Sequence, residues 1–174
     1  MSTPAKAPAK ADALKLLAAD HAALVAMFRD YDRGKKKGDA MEKGKQALRI
    51  CHRLLIQCTI KEEIFYPAAS SVLGKDGEAM VQRALAEQGA MRGKIAEIQQ
   101  MPSSDVGFDP AMSLLSDMAR GHFKEDEEKL FPRLRHAGFD LVGTGEKLAT
   151  RRLQLSTTPA GQADVRQARR VLGR

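Results

Sequence analysis

The chain has no tryptophan, and aromatic residues make up only 5% of its 174 positions. Together with the abundance of Ala, Leu, Lys, Glu and Arg, this scarcity argues against a sheet-built core and for an all-helical one. Long hydrophobic runs are also missing, because charged or polar residues break every stretch before the roughly 18 to 20 apolar residues that a membrane span needs. Ser2 to Ala11 has no apolar segment of the kind that opens a secretory signal. The expectation is a soluble, cytoplasmic protein with no membrane span. Cysteine is scarce too, and Cys51 and Cys58 lie seven residues apart on one predicted helix. That spacing separates their backbones by roughly 10 Å, too far for a disulfide between them. Free thiols fit a reducing compartment, and both read as small core hydrophobes, with Cys58 beside the polar positions described below. A phosphate-binding glycine loop, a nucleophile elbow and a Cys-x-x-Cys pair are absent, so those catalytic classes have no support.

What is present suits one domain. Residues 1–11, rich in Pro, Ala and Lys, read as a disordered arm. Residues 12–155 read as the helical body and 156–174 as a basic tail. The formal charge of +7 is uneven, since from Arg133 onward nine Lys or Arg face three Asp or Glu, with Arg151-Arg152 and Arg169-Arg170 as pairs. Such a tail can engage an acidic partner or nucleic acid, although it carries no aromatic residue among those charges to stack on bases.

Helix one is predicted from Asp12, its N-cap, to Arg33, and helix two from Asp39 to Tyr66, with Pro67 kinking or ending it. A turn at Leu73 to Asp76 leads to helix three, which reaches Met101. Helix four runs from Asp109 to about Pro132, and a shorter fifth helix from Asp140 to Leu155 sets Leu141, Leu148 and Leu153 against the others. Short connections make neighbouring helices antiparallel, an up-down four-helix bundle with a short fifth C-terminal helix.

Each long segment interrupts its apolar seam with polar residues near mid-length. The first seam is Leu14, Leu17, His21, Leu24, Phe28, Tyr31; the second Ile50, Leu54, Gln57, Lys61, Ile64, Ala68. The third is Val81, Ala84, Gln88, Met91, Ile95, Ile98; the fourth Leu115, Ala119, His122, then Asp126 or Glu127, then Leu130. Four helices that bring polar groups to one height enclose a polar site, which is where bundles hold metals and cofactors. Helices two and four also close alike, Lys61-Glu62-Glu63-Ile64-Phe65-Tyr66-Pro67 against Asp126-Glu127-Glu128-Lys129-Leu130-Phe131-Pro132. Counting back from each proline pairs Gln57 with His122 and Lys61 with Asp126, a helical-hairpin repeat whose halves share one site.

These residues resemble the hemerythrin-like, or HHE cation-binding, family, four-helix bundles that typically hold an oxygen-bridged di-iron centre. The likeness covers about residues 10 to 155: Ala-Asp-His in helix one, Glu-Glu-Ile-Phe-Tyr-Pro closing helix two, Ala-Glu-Gln in helix three, and His-Phe-Lys-Glu-Asp-Glu-Glu-Lys-Leu-Phe-Pro in helix four. The resemblance implies metal ligation by His21, His122 and Glu127. It also identifies three substituted ligand positions: Gln57 and Gln88 stand where the family has histidines, and Lys61 where it has a bridging carboxylate. Gly121 likewise replaces the first histidine of a His-His pair.

A Gln carbonyl is a weak donor to iron, and an ammonium has no lone pair. Against a divalent ion about 4 Å away, Lys61 contributes a repulsion of roughly 8 kcal/mol at an effective dielectric of about 20. Lys61 can instead donate to Glu127 or Asp126, while Gln57 and Gln88 can bond His21 and His122. The leading expectation is a degenerate di-iron site, metal-free or weakly metal-binding, in a protein that is not an enzyme. One alternative is a mononuclear iron or zinc site of His21, His122 and Glu127, with Glu62 as substitute ligand, in oxygen, nitric oxide or metal sensing or storage. Others are a surface-interaction protein using the basic C-terminal end, and an enzyme using Lys61 with Glu127 as an acid-base pair or Lys61 as an amine nucleophile. His52 has no partner at ligand spacing, and His136 falls where a partly positive ring favours a helix C-terminus.

Overall fold

The computed structural model describes residues 12–35 and 39–157, and the predicted N-terminal arm and all but the first two residues of the predicted tail lie outside them. Helix α1 spans Ala13–Gly34 and α2 spans Ala40–Ile60. Both begin at the aspartates read as caps. The Asp12 carboxylate accepts from the backbone N–H groups of Leu14 and Lys15, and the Asp39 carboxylate from that of Glu42, relieving donors that a helix start leaves unpaired. A π-helical turn, Lys61–Phe65, carries α2 directly into α3, Tyr66–Gln100. Helix α4, Phe108–Glu125, passes through a second π turn, Asp126–Leu130, into the short α5, Phe131–His136, and α6 covers Leu141–Thr157. No strand occurs among the described residues.

Pro67 does not end its helix. Each π turn precedes a proline, Pro67 or Pro132, by one residue, and the Tyr66 N–H donates to the Lys61 carbonyl as the Phe131 N–H does to that of Asp126. A proline ring lacks an N–H and crowds the carbonyl four residues back, and a widened turn accommodates both defects without breaking the rod. The extra residue rotates everything beyond it. Phe65 and Ala69 are buried where the seam predicted Ile64 and Ala68. The chain reverses later, at Gly74, whose φ of 60° and ψ of −148° interrupt α3 inside the predicted turn.

Two apolar clusters fill the bundle. One includes Leu24, Phe28, Ile50, Leu54, Met91, Ile95 and Leu115, and the other Leu14, Leu17, Ile60, Phe65, Phe131 and Leu134. On every rod the polar positions fall between the two, so a polar layer crosses an otherwise oily core. Tyr31 ties α1 to the start of α4, its hydroxyl donating to Asp109 at 2.6 Å. Helix α6 lies against α1 and α2 through Leu148, which is fully buried. Leu153 is 65% exposed, contrary to expectation, because five residues after Leu148 it has turned about 140° away, whereas Leu155 at heptad spacing packs inward. His136 finishes α5 by donating from Nδ1 to the Pro132 carbonyl at 2.7 Å.

A Cβ added at Gly74 meets nothing within 4 Å, so its constraint is the backbone conformation alone. Gly74→Ala is expected to cost about 1 to 3 kcal/mol in a urea titration. Gly93→Ala, in mid-helix with equally open surroundings, is expected to gain up to about 1 kcal/mol.

Candidate functional site

The polar layer is built around Lys61. Its side chain has no solvent exposure, and the Nζ donates to Asp126 Oδ2 and, at 2.7 Å, to His122 Nε2. The ammonium also lies 5.3 Å from the ring centroid of Tyr66, whose hydroxyl donates to His122 Nε2 at 3.2 Å. A lysine has donors only, so His122 Nε2 must present its lone pair and Nδ1 must carry the proton. That proton goes to Glu87 Oε2 at 2.9 Å, and the other oxygen of Glu87 accepts from Arg83 Nε at 3.1 Å. A chain of donors thus runs from the buried ammonium to the surface.

His21 is held in the same sense. Its Nδ1–H donates to Glu127 Oε1 at 2.7 Å, and its ring is stacked between Phe123, at 4.1 Å between centroids, and Phe131, at 6.0 Å. Its Nε2 points toward Asp126 Oδ2 but at 3.9 Å, beyond hydrogen-bond reach. Each imidazole therefore keeps its Nδ1–H on a carboxylate and turns Nε2 inward. Burial first, and then the Lys61 ammonium, push His21 down to about 2 and His122 down to about 3, so both rings are neutral near pH 7.

The structure brings together His21, His122 and Lys61, with Glu127 bonded to His21 from the rim, buries both glutamines, and keeps Glu62 out. Of the two carboxylates left open by the fourth seam, Asp126 is buried and Glu127 stands at the rim, its side chain 44% exposed. Burial and the neighbouring Asp126 raise the Glu127 carboxyl above the usual range. Glu62 does not turn inward, because Arg92 holds both its oxygens, at 3.1 and 2.8 Å, and Glu63 pairs with Arg151 on the surface. Nor do the glutamines bond the histidines. The Gln57 amide nitrogen and both amide atoms of Gln88 are buried without a hydrogen-bond partner, while Glu127 and Glu87 serve the rings instead. Among the described residues, no group of three or more His, Cys, Asp or Glu side chains is arranged to hold a metal ion.

Tyr66 and Glu87 complete the layer, and the apolar seams do not mark either as a site residue. Tyr66 becomes legible once the π turn is counted into the seam, and Glu87 directly precedes the seam residue Gln88. Cys51 and Cys58 are buried, which pushes their thiols up to about 12 and about 11 and leaves them protonated and unreactive.

The family model of the hemerythrin HHE cation-binding domain matches residues 12–138. A crystal structure of a hemerythrin HHE cation-binding domain-containing protein, the Rv2633c homolog from Mycobacterium kansasii, superposes with a TM-score of 0.70 at 20% identity, covering 91% of this chain and 98% of that one. No curated protein sequence matches the chain.

Two outcomes follow from this geometry. Lys61→Met leaves the Asp126 carboxylate buried without its partner and is expected to cost about 3 to 5 kcal/mol, with much of the loss recovered by adding Asp126→Leu; urea midpoints of the single and double variants check this. Histidines depressed in the folded state contribute stability that is full above the unfolded value near 6.5 and is lost as pH falls toward 3. From pH 7 to pH 5 the two rings should lower unfolding free energy by about 2 to 4 kcal/mol, at most about 1.4 per ring per pH unit. An unchanged urea midpoint over that range would mean that the folded rings take up protons as freely as the unfolded ones.

Proposed function

The chain belongs to the hemerythrin HHE cation-binding domain family, and from that premise we propose that it is a member whose internal di-iron site is degenerate, metal-free or weakly metal-binding, with the Lys61 ammonium taking over the charge-balancing part. The observation that carries this reading is the position of Lys61 Nζ, wholly buried between Asp126 and His122. The donor set does not fit a di-iron centre. A bridging carboxylate position is filled by a cation with no lone pair, two histidine positions carry amides, and the carboxylate facing inward is already paired. The Glu62 that could have substituted is committed to Arg92. The domain then acts through its scaffold rather than through oxygen or redox chemistry at a metal pair. Two buried free thiols support a reducing, cytoplasmic setting.

A second reading, one mononuclear iron or zinc ion bound by His21 and His122, has a specific observation behind it. Both rings hold Nδ1–H on a carboxylate and aim Nε2 inward, which is how metal-ligating histidines are oriented by outer partners. Asp126 would be the third donor in place of the predicted Glu127, and Lys61 would have to leave the centre first. Partner binding through the basic C-terminal end is less supported near its start, since Arg151 is paired with Glu63 and Arg152 with Asp20. Arg169 and Arg170 lie outside the described residues.

Elemental analysis of untagged protein from iron-supplemented medium, with the near-ultraviolet spectrum under air, tests the proposal. The native chain is expected to carry no stoichiometric metal. The triple variant Gln57→His, Lys61→Glu, Gln88→His is expected to recover iron. Two irons per native chain with oxo-bridge absorption would overturn the proposal, and one metal per chain lost in His21→Ala would establish the second reading instead.

A further inference from the structure

A cavity of about 540 Å3 opens between α1, α2 and α6, and it differs in character from the polar layer. Leu24, Ile56 and Leu153 give it apolar walls, while Asp20, Arg53 and Arg152 supply its charge. The volume is that of a cleft for a small organic molecule. Arg53 Nη2 and Arg152 Nη1 meet on a single oxygen, Asp20 Oδ1, at 3.4 and 2.8 Å. Each guanidinium therefore spends one nitrogen on Asp20 and keeps its remaining donors. The three charges sum to one positive unit in a partly apolar recess. Gln57 also lines the cavity, although its amide nitrogen is itself buried away from solvent.

Donors in excess, one surplus positive charge and an apolar wall define a complementary ligand. We infer that this cavity binds a small monocarboxylate with an apolar body, its carboxylate taken by Arg53 and Arg152 and its body lying against Leu24, Ile56 and Leu153. Arginine suits this task because its planar fork bonds both oxygens of a carboxylate. A cationic ligand would meet two guanidinium groups. A neutral apolar one would cover their unspent N–H donors without pairing them, which is costly. A doubly charged anion would bring more charge than the recess balances. The chain's own C-terminal residues are a poor occupant by charge, with Arg166, Arg169, Arg170 and Arg174 against a single Asp164.

Isothermal titration calorimetry on the full chain with octanoate, octanol, octylamine and inorganic phosphate tests the assignment. Octanoate is expected to bind at least about tenfold more tightly than octanol or phosphate, and octylamine not at all. Arg152→Gln should weaken octanoate about tenfold or more and leave octanol unchanged. Because that variant also releases Asp20, Leu153→Glu provides an independent check: at a position 65% exposed it adds a negative charge to the wall without disturbing the core, and it should weaken octanoate similarly. Octanoate binding no tighter than octanol or phosphate, equal affinity in both variants, or no heat with about 1 mM octanoate would each overturn the inference.

Discussion

The ion pair between Lys61 and Asp126 is the contact on which the arrangement of the bundle interior depends. Taking an ammonium and a carboxylate out of water costs several kcal/mol per ion, so neither can stand there alone. The geometry offsets that cost by surrounding Nζ with Asp126 Oδ2, His122 Nε2 and the face of Tyr66. Each of these contacts then dictates the next. A donor-only lysine forces the His122 tautomer, the tautomer requires an acceptor at Nδ1, Glu87 supplies it, and Arg83 anchors Glu87 at the surface. On the other side, Phe123 and Phe131 clamp the neutral His21 ring while Glu127 fixes its proton.

The same layer shows how far a sequence can be read and where it stops. Heptad counting located His21, Gln57, Lys61, Gln88 and His122 inside, and all five are at most 2% exposed. The caps at Asp12 and Asp39 and the break at Gly74 were legible because each has a local cause, a side-chain acceptor or a residue without Cβ. The misplacements of Ile64 and Ala68 share one cause that periodicity cannot show. A count at 3.6 residues per turn assumes an unbroken helix, whereas Pro67 and Pro132 are each accommodated by a five-residue π turn that shifts the seam by one. The internal repeat and the need of a buried carboxylate for a partner pointed Lys61 at Asp126 or Glu127, and only the rotation of the helix decides for Asp126. Glu62 escaped because its partner, Arg92, comes from another helix, and ion pairs between helices leave no trace in spacing.

The unpaired amides are the other side of this arrangement. Gln57 and Gln88 occupy places where shorter or apolar side chains would carry no hydrogen-bond debt, and their buried polar atoms cost about 1 to 3 kcal/mol each when left unmade. A layer designed only for stability would not contain them. On the proposed reading they stand at histidine positions, as residues of similar size that keep the surrounding shape without supplying a ligand.

Charge decides what such a layer can still accommodate. The carboxylate within it, Asp126, is neutralised by Lys61, and both imidazoles are neutral, so the interior balances with no added ion. Glu87 and Glu127 add negative charge only at the rim, where side-chain exposures of 31% and 44% let solvent screen it. An incoming divalent ion would unbalance the layer unless Lys61 lost its proton or withdrew, and its partners hold it from three sides. On the proposed reading, then, the barrier to a metal is the ammonium already in place more than the shortage of histidines. On that reading the two inward Nε2 atoms are oriented as ligands would be, but His122 Nε2 already accepts from Lys61, and the ammonium opposes a second cation beside both rings.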